Sequence, residues 1–130
     1  MKTVTKSYDI PLILKAREIL EENPGRRLTI TTFALEVGIN SFKLRIGFKE
    51  IFKKTIHQYR LNLRLDLAKQ LLADTDLTIA EIAYKAGFDT RDGLARSFRK
   101  KFHLPPREWR KCQELSNQSE AFSTGLFNLS

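Results

Sequence analysis

The stretch LTIAEIAYKAGFD, residues 77–89, has a near-parallel in LTITTFALEVGIN, residues 28–40, 49 positions earlier. Each copy opens as a helix does. Thr78 is placed to cap, Glu81 three residues on to complete a capping box, and Leu77 to staple against Ile82. The earlier copy has Thr29 as cap and Leu28 with Phe33 as staple, but Thr32 where the acid stands, which predicts a weaker reciprocal bond. Both short helices end at a glycine, Gly38 or Gly87, where a positive φ is sterically cheap. A helix, a glycine turn and a second helix make a helix-turn-helix, here written twice.

The second helix of each pair is predicted over about Ser41 to Phe52 and about Arg91 to Phe102. Leu44, Phe48 and Phe52 recur every fourth residue, as do Leu94, Phe98 and Phe102, so each triplet anchors its helix through one face. Gly38 to Leu44 is six residues and Gly87 to Leu94 seven, which places an extra residue at the start of the later helix. The outward positions are Ser41, Phe42, Lys43, Arg45, Ile46 and Lys49 in one, and Thr90, Arg91, Asp92, Ala95, Arg96 and Arg99 in the other. An α-helix fits the DNA major groove, and arginine bonds two ways to guanine O6 and N7. Asp92 can accept from cytosine or orient Arg91 or Arg96. Phe42 can pack on its own lobe or touch a thymine methyl.

Around these pairs, residues 9–22 carry a helical apolar stripe with Asp9 as N-cap and Asn23-Pro24-Gly25 as stop. Residues 55–73 are apolar on two faces, with Ile56, Tyr59, Leu63, Leu67 and Leu71 on one stripe. Such a connecting helix spans ~28 Å at 1.5 Å per residue, of the order of the ~34 Å between major-groove sites one turn apart. Pro105 and Pro106 open a last short helix that returns Trp109 to the second core. The expected order is an N-terminal extension (1–8), a first lobe (9–54), the connecting helix (55–73), a second lobe (74–112) and a flexible tail (113–130). The fold class is all-α, with about seven helices.

Charge agrees with the motifs. The chain has 23 Lys plus Arg against 15 Asp plus Glu and a net charge of +8. The last 18 residues contain two Glu and no Lys or Arg, so the preceding 112 carry +10. That concentration favours a polyanionic partner, nucleic acid ahead of a membrane surface. A 42% hydrophobic content with nine Phe argues against disorder. The one cysteine, Cys112, forms no internal disulfide and fits a reducing cytoplasm. No run approaches a spanning helix, and neither His57 nor His103 stands at metal-ligand spacing from other donors. No cofactor or small-molecule site is predicted, and an enzyme is disfavoured.

The stretch IAEIAYKAGFDTRDGLARSFRKKFHLPPREWR, residues 79–110, resembles the second helix-turn-helix and the closing Pro-x-x-aromatic-Arg helix of AraC/XylS-type transcription regulators. FALEVGINSFKLRIGFKEIF, residues 33–52, resembles the first motif, especially in siderophore-responsive members. The resemblance covers Ile10 to Lys111. It implies sequence-specific binding to double-stranded promoter DNA through two major-groove helices, often as an activator contacting RNA polymerase. The chain itself is expected to be a monomer. By position it makes Phe42, Arg45, Ile46, Arg91, Asp92, Ala95 and Arg96 candidates for base contact. Ser41, Lys43, Lys49, Thr90, Arg99 and Lys100 are then candidates for the DNA backbone, with Leu44, Phe48, Phe52, Leu67, Leu94, Phe98, Phe102 and Trp109 as core anchors. Three departures stand out: Ile46 where the family often has Arg, Gly93 where a bulkier residue is usual, and Phe52-Lys53 and Phe102-His103 in place of Phe-Gly. A helical adaptor that binds another transcription protein, with only nonspecific DNA affinity, is the competing reading.

Overall fold

The computed structural model describes the backbone of residues 5–129 and the side chains of residues 5–118. Among these are seven α-helices: α1 (Ile10–Glu22), α2 (Ile30–Val37), α3 (Ser41–Phe52), α4 (Ile56–Asp74), α5 (Ile79–Lys85), α6 (Arg91–Phe102) and α7 (Pro106–Leu129). The chain divides into two compact units, Met1–Leu67 and Ala68–Ser130, so the division falls inside α4.

In the first unit α1, α2, α3 and the start of α4 converge on one core. Ile13, Ala16 and Leu20 meet Phe33, Ala34 and Val37, with Leu44, Phe48 and Ile56 completing the cluster. Phe48 also packs edge-on against Phe52 and Tyr59, at centroid distances of 4.6 and 5.3 Å. The second unit repeats that arrangement: Leu94 and Phe98 are fully buried, and Phe98 lies 4.6 Å from Phe102 and 6.0 Å from Trp109. A cation covers each outer ring, Arg17 over Phe52 and Lys69 over Phe102, both at 5.0 Å.

Three local expectations change. Asp9 does not cap α1: it lies in a 3-10 turn, Ser7–Asp9, with helical φ and ψ, and is only 6% exposed. Its amide, which donates to the Lys6 carbonyl at 2.9 Å, makes that turn the entry to the helix. Leu67 is half-buried rather than a central anchor, because the buried side of α4 passes through Leu65, Ala68 and Leu72. The last helix does not stop near Cys112 but runs to Leu129, so residues 113–129 of the expected tail are helical. Between Pro106 and Gly125 no proline or glycine interrupts that run, which leaves its backbone free to continue the hydrogen-bond ladder. The connecting helix begins with a reciprocal capping box: Gln58 N–H donates to Thr55 Oγ1 at 3.1 Å, and Thr55 N–H to Gln58 Oε1 at 2.9 Å.

Candidate DNA-binding surface

Each helix-turn-helix is set by its caps. Thr29 Oγ1 accepts from Thr32 N–H and Thr78 Oγ1 from Glu81 N–H, both at 3.1 Å. The hydroxyls then donate onward, Thr29 to Thr32 Oγ1 and Thr78 to Glu81 Oε1. Glu81 thus accepts from the Thr78 hydroxyl as Thr32 accepts from Thr29, and the two copies are closer in geometry than their sequences predict. Gly38 and Gly87 have φ of 89° and 91°. Behind them Ile39 N–H and Phe88 N–H donate back to the Ala34 and Ala83 carbonyls at 3.1 and 2.9 Å, the closure of a Schellman turn.

The turns then deliver two helices of 12 residues each. Asn40 caps α3, its Oδ1 accepting from Phe42 N–H at 2.8 Å and Lys43 N–H at 3.3 Å. Thr90 caps α6, accepting from Gly93 N–H at 2.9 Å. Leu44 and Leu94 thus stand fourth in their helices, and the extra residue of the second copy lies in the turn, before the cap. Ile46 and Arg96 occupy equivalent positions, as do Arg45 and Ala95. Gly93 is in the first turn rather than mid-helix, and a Cβ there would sit 3.1 Å from Thr90 Oγ1, so the absent side chain lets the cap close tightly.

The predicted contact residues emerge on the open faces. Phe42, Lys43, Arg45, Lys49, Thr90, Arg91, Asp92, Arg96, Arg99 and Lys100 are exposed, while Ser41, Ile46 and Ala95 are half-covered. Phe42 is 60% exposed. Asp92 stands in the first turn of α6, and Arg99 and Lys100 in its last, where each charge complements the helix dipole. Those two cations therefore have a structural role beside any contact with DNA.

A shallow groove borders the second helix of the helix-turn-helix in each unit, at matching positions of the repeat. In the first it lies among Ile30, Arg45, Thr55, Ile56, His57 and Arg60, with a volume of about 250 Å³. In the second it lies among Ile79, Arg91, Ala95, Pro105, Pro106 and Arg107, at about 190 Å³. His57 and Arg107 line these grooves and were missed as site residues. The 50-residue offset between TIHQYR and PPREWR was the signal that could have found them.

Two arginines brace the same repeat from inside. Arg60 Nη1 donates to the Leu28 carbonyl at 2.9 Å, and burial pulls its pKa down from the usual arginine value. Arg110 donates to three carbonyls, Leu77 at 2.7 Å, Leu72 at 3.1 Å and Thr75 at 3.2 Å. Leu28 and Leu77 are the residues just before the two capping threonines, so both guanidinium groups fix the entrance to a helix-turn-helix. Tyr59 beside Arg60 donates to Glu21, and burial together with that bond pushes its phenol up to about 12.

Residues 13–112 match the helix-turn-helix domain family. The melibiose operon regulatory protein of Escherichia coli is 30% identical over 100 residues, 77% of this chain and 33% of that protein. The regulator GbdR of Pseudomonas aeruginosa is 29% identical over 105 residues, 81% of this chain and 29% of its own length. The chain thus spans about a third of these curated relatives. Among solved structures, an AraC-type DNA-binding-domain regulator from Chromobacterium violaceum superimposes with a TM-score of 0.72 at 29% identity, over 83% of this chain and 96% of that one. The DNA-binding domain of AdpA, solved with a target DNA, gives 0.76 over 80% and 94%, and at 18% identity its likeness is one of fold. With two capped helix-turn-helix units, two exposed cationic helices and a match along 13–112, the chain belongs to the AraC/XylS-type family of sequence-specific DNA-binding transcription regulators.

Proposed function

We propose that α3 and α6 are the base-reading helices and that each enters the major groove of promoter DNA in the cytoplasm, the chain acting as a monomer and activating through RNA polymerase. The observation that carries this reading is the paired geometry: two 12-residue helices, each delivered by a left-handed glycine turn, anchored by a Leu-Phe-Phe face and carrying an exposed arginine, Arg45 in one and Arg96 in the other. Arg96 is the principal candidate for reading a base, because it is exposed two residues after the buried Leu94. Arg99, a turn later, is assigned to the phosphate backbone.

Binding to a duplex selected from a random pool, compared with unrelated duplex and with every single-base variant, tests this at two salt concentrations. Arg96→Ala should flatten preference at one or two positions by ~1–3 kcal/mol. Arg99→Ala should weaken all sequences alike and lower the salt slope by about one. An unchanged base profile for Arg96→Ala would take base reading away from it. A gap of less than about tenfold between selected and unrelated duplex, where specific sites usually gain ~10³ or more, would favour the adaptor reading.

A further inference from the structure

The residues just ahead of α1 lie along the first recognition helix. Thr5 N–H donates to Glu50 Oε1 of α3 at 3.1 Å. Close approach depends on Gly47, whose side chain is missing where a Cβ would stand 3.1 Å from Thr5 Oγ1 and 2.9 Å from Ile13 Cδ1. Further along, the Lys43 ammonium lies 5.9 Å from the centre of the Tyr8 ring. The 3-10 turn at Ser7–Asp9 then leads the chain into α1.

The sorting of charge on this segment is what points to a ligand. Its acid, Asp9, is buried, and the nearby acid of α3, Glu50, is turned to the Thr5 amide. Lys6, Ser7 and Tyr8 face outward, Tyr8 with 68% of its surface open. Lys6 and Tyr8, with Thr5, Asp9, Phe42, Lys43 and Ile46, line a pocket of about 220 Å³. Its lining includes two lysines and a tyrosine, all exposed, with Phe42 and Ile46 as apolar surface and one acid, Asp9, that is only 6% exposed. That is the chemistry of a sugar-phosphate chain: cations and a hydroxyl donor for the phosphodiester, an apolar wall for the deoxyribose.

We infer that Lys6 and Tyr8 form a third DNA-contacting element, binding the phosphodiester backbone beside the bases that α3 addresses. The inference rests on the proposed engagement of α3 with DNA. Phe42 and Ile46 are shared between the pocket and the base-reading face, so a strand held by Lys6 and Tyr8 is registered against the bases those two residues meet. The missing arginine at position 46 has a physical counterpart here, since an apolar residue is what a wall of this pocket requires.

Lys6→Ala, Tyr8→Ala and Tyr8→Phe, all at exposed positions, are measured in the full chain on the selected and the unrelated duplex, with Arg45→Ala as control for α3. Lys6→Ala should weaken both duplexes by a similar factor, roughly three- to tenfold, and lower the salt slope by about one. Tyr8→Ala should also weaken both duplexes, and Tyr8→Phe should reproduce the part due to the hydroxyl. The salt slope reports Lys6, the one cation among the described residues of the arm, because only a charge withdrawn from a phosphate lowers counterion release; the Tyr8 variants are read by affinity. Wild-type affinity and slope in Lys6→Ala and both Tyr8 variants, while Arg45→Ala loses binding, would overturn this inference and leave α3 on the DNA. Silence of Arg45→Ala together with the arm variants would overturn both. A changed base profile in Lys6→Ala or Tyr8→Ala would refute backbone contact in favour of base reading.

Discussion

Lys53 and His103 hold a backbone conformation that side chains with a Cβ usually avoid. Their φ values are 61° and 69°, and each closes a recognition helix by donating its amide to the carbonyl four residues back, at Lys49 or Arg99. For an L-residue the left-handed region costs roughly 1–2 kcal/mol, which glycine avoids. Substitution to glycine also enlarges the freedom of the unfolded chain, so only part of that strain is recovered. His103→Gly should therefore raise stability by ~0.5–1 kcal/mol, read as a higher urea midpoint at constant slope. Lys53→Gly should do the same while removing a cation from the surface. A drop in the midpoint of His103→Gly would show that its imidazole contributes packing worth more than the strain. The sequence marked both positions as departures from Phe-Gly, and the need to end each helix there made the conformation foreseeable.

At the scale of elements, the repeat is held by arginine as much as by apolar packing. Arg110 spans the end of α4 and the approach to α5 with three hydrogen bonds to main-chain oxygens. Removing a charged donor leaves part-buried acceptors without it, so Arg110→Ala should cost ~2–3 kcal/mol in urea denaturation. Arg110→Lys should recover only a fraction, since one ammonium on a flexible stem does not reproduce a planar fork. A cost below about 0.5 kcal/mol would mean that water replaces these bonds. The helices, both glycine turns and the Leu-Phe-Phe anchors were legible because each rests on spacing within a single segment. The guanidinium braces were not, because they join positions 32 to 38 residues apart through main-chain oxygens, which carry no residue identity. Asp9 was misread for a related reason: a cap is defined by its own φ and ψ, and an acid before a proline-bearing helix looks the same whether it caps or is buried.

For the whole molecule, the decisive feature is that the boundary between units lies within an unbroken helix. Residues 56–74 belong to α4, and the division at Leu67 and Ala68 leaves part of that helix in each unit. Asp66→Pro would remove a backbone donor and clash with the preceding turn, at a cost of ~3 kcal/mol or more. Heating should then resolve two transitions in place of one, and binding to a two-segment site should fall toward that of a one-segment site as the effective concentration of the second helix drops. A single transition with unaltered binding would show that continuity of α4 is dispensable. The basic surplus, read from composition, belongs at this scale too: it points to a polyanionic partner, while the proposed contact residues required the anchors to orient the helices.

The equal length and common register of α3 and α6 give the outward positions of the two helices a common frame. Both are 12 residues long, both place leucine fourth and phenylalanine eighth and twelfth, and the one-residue difference between the copies is absorbed in the turn. Mutational drift can therefore rewrite the outward letters at Phe42, Arg45 and Ile46, or at Asp92, Ala95 and Arg96, without disturbing the inward ones. An ancestral duplication that kept the anchors and released the other face would yield two readers free to diverge, and an engineer can exploit that freedom by transplanting one outward set onto the other helix.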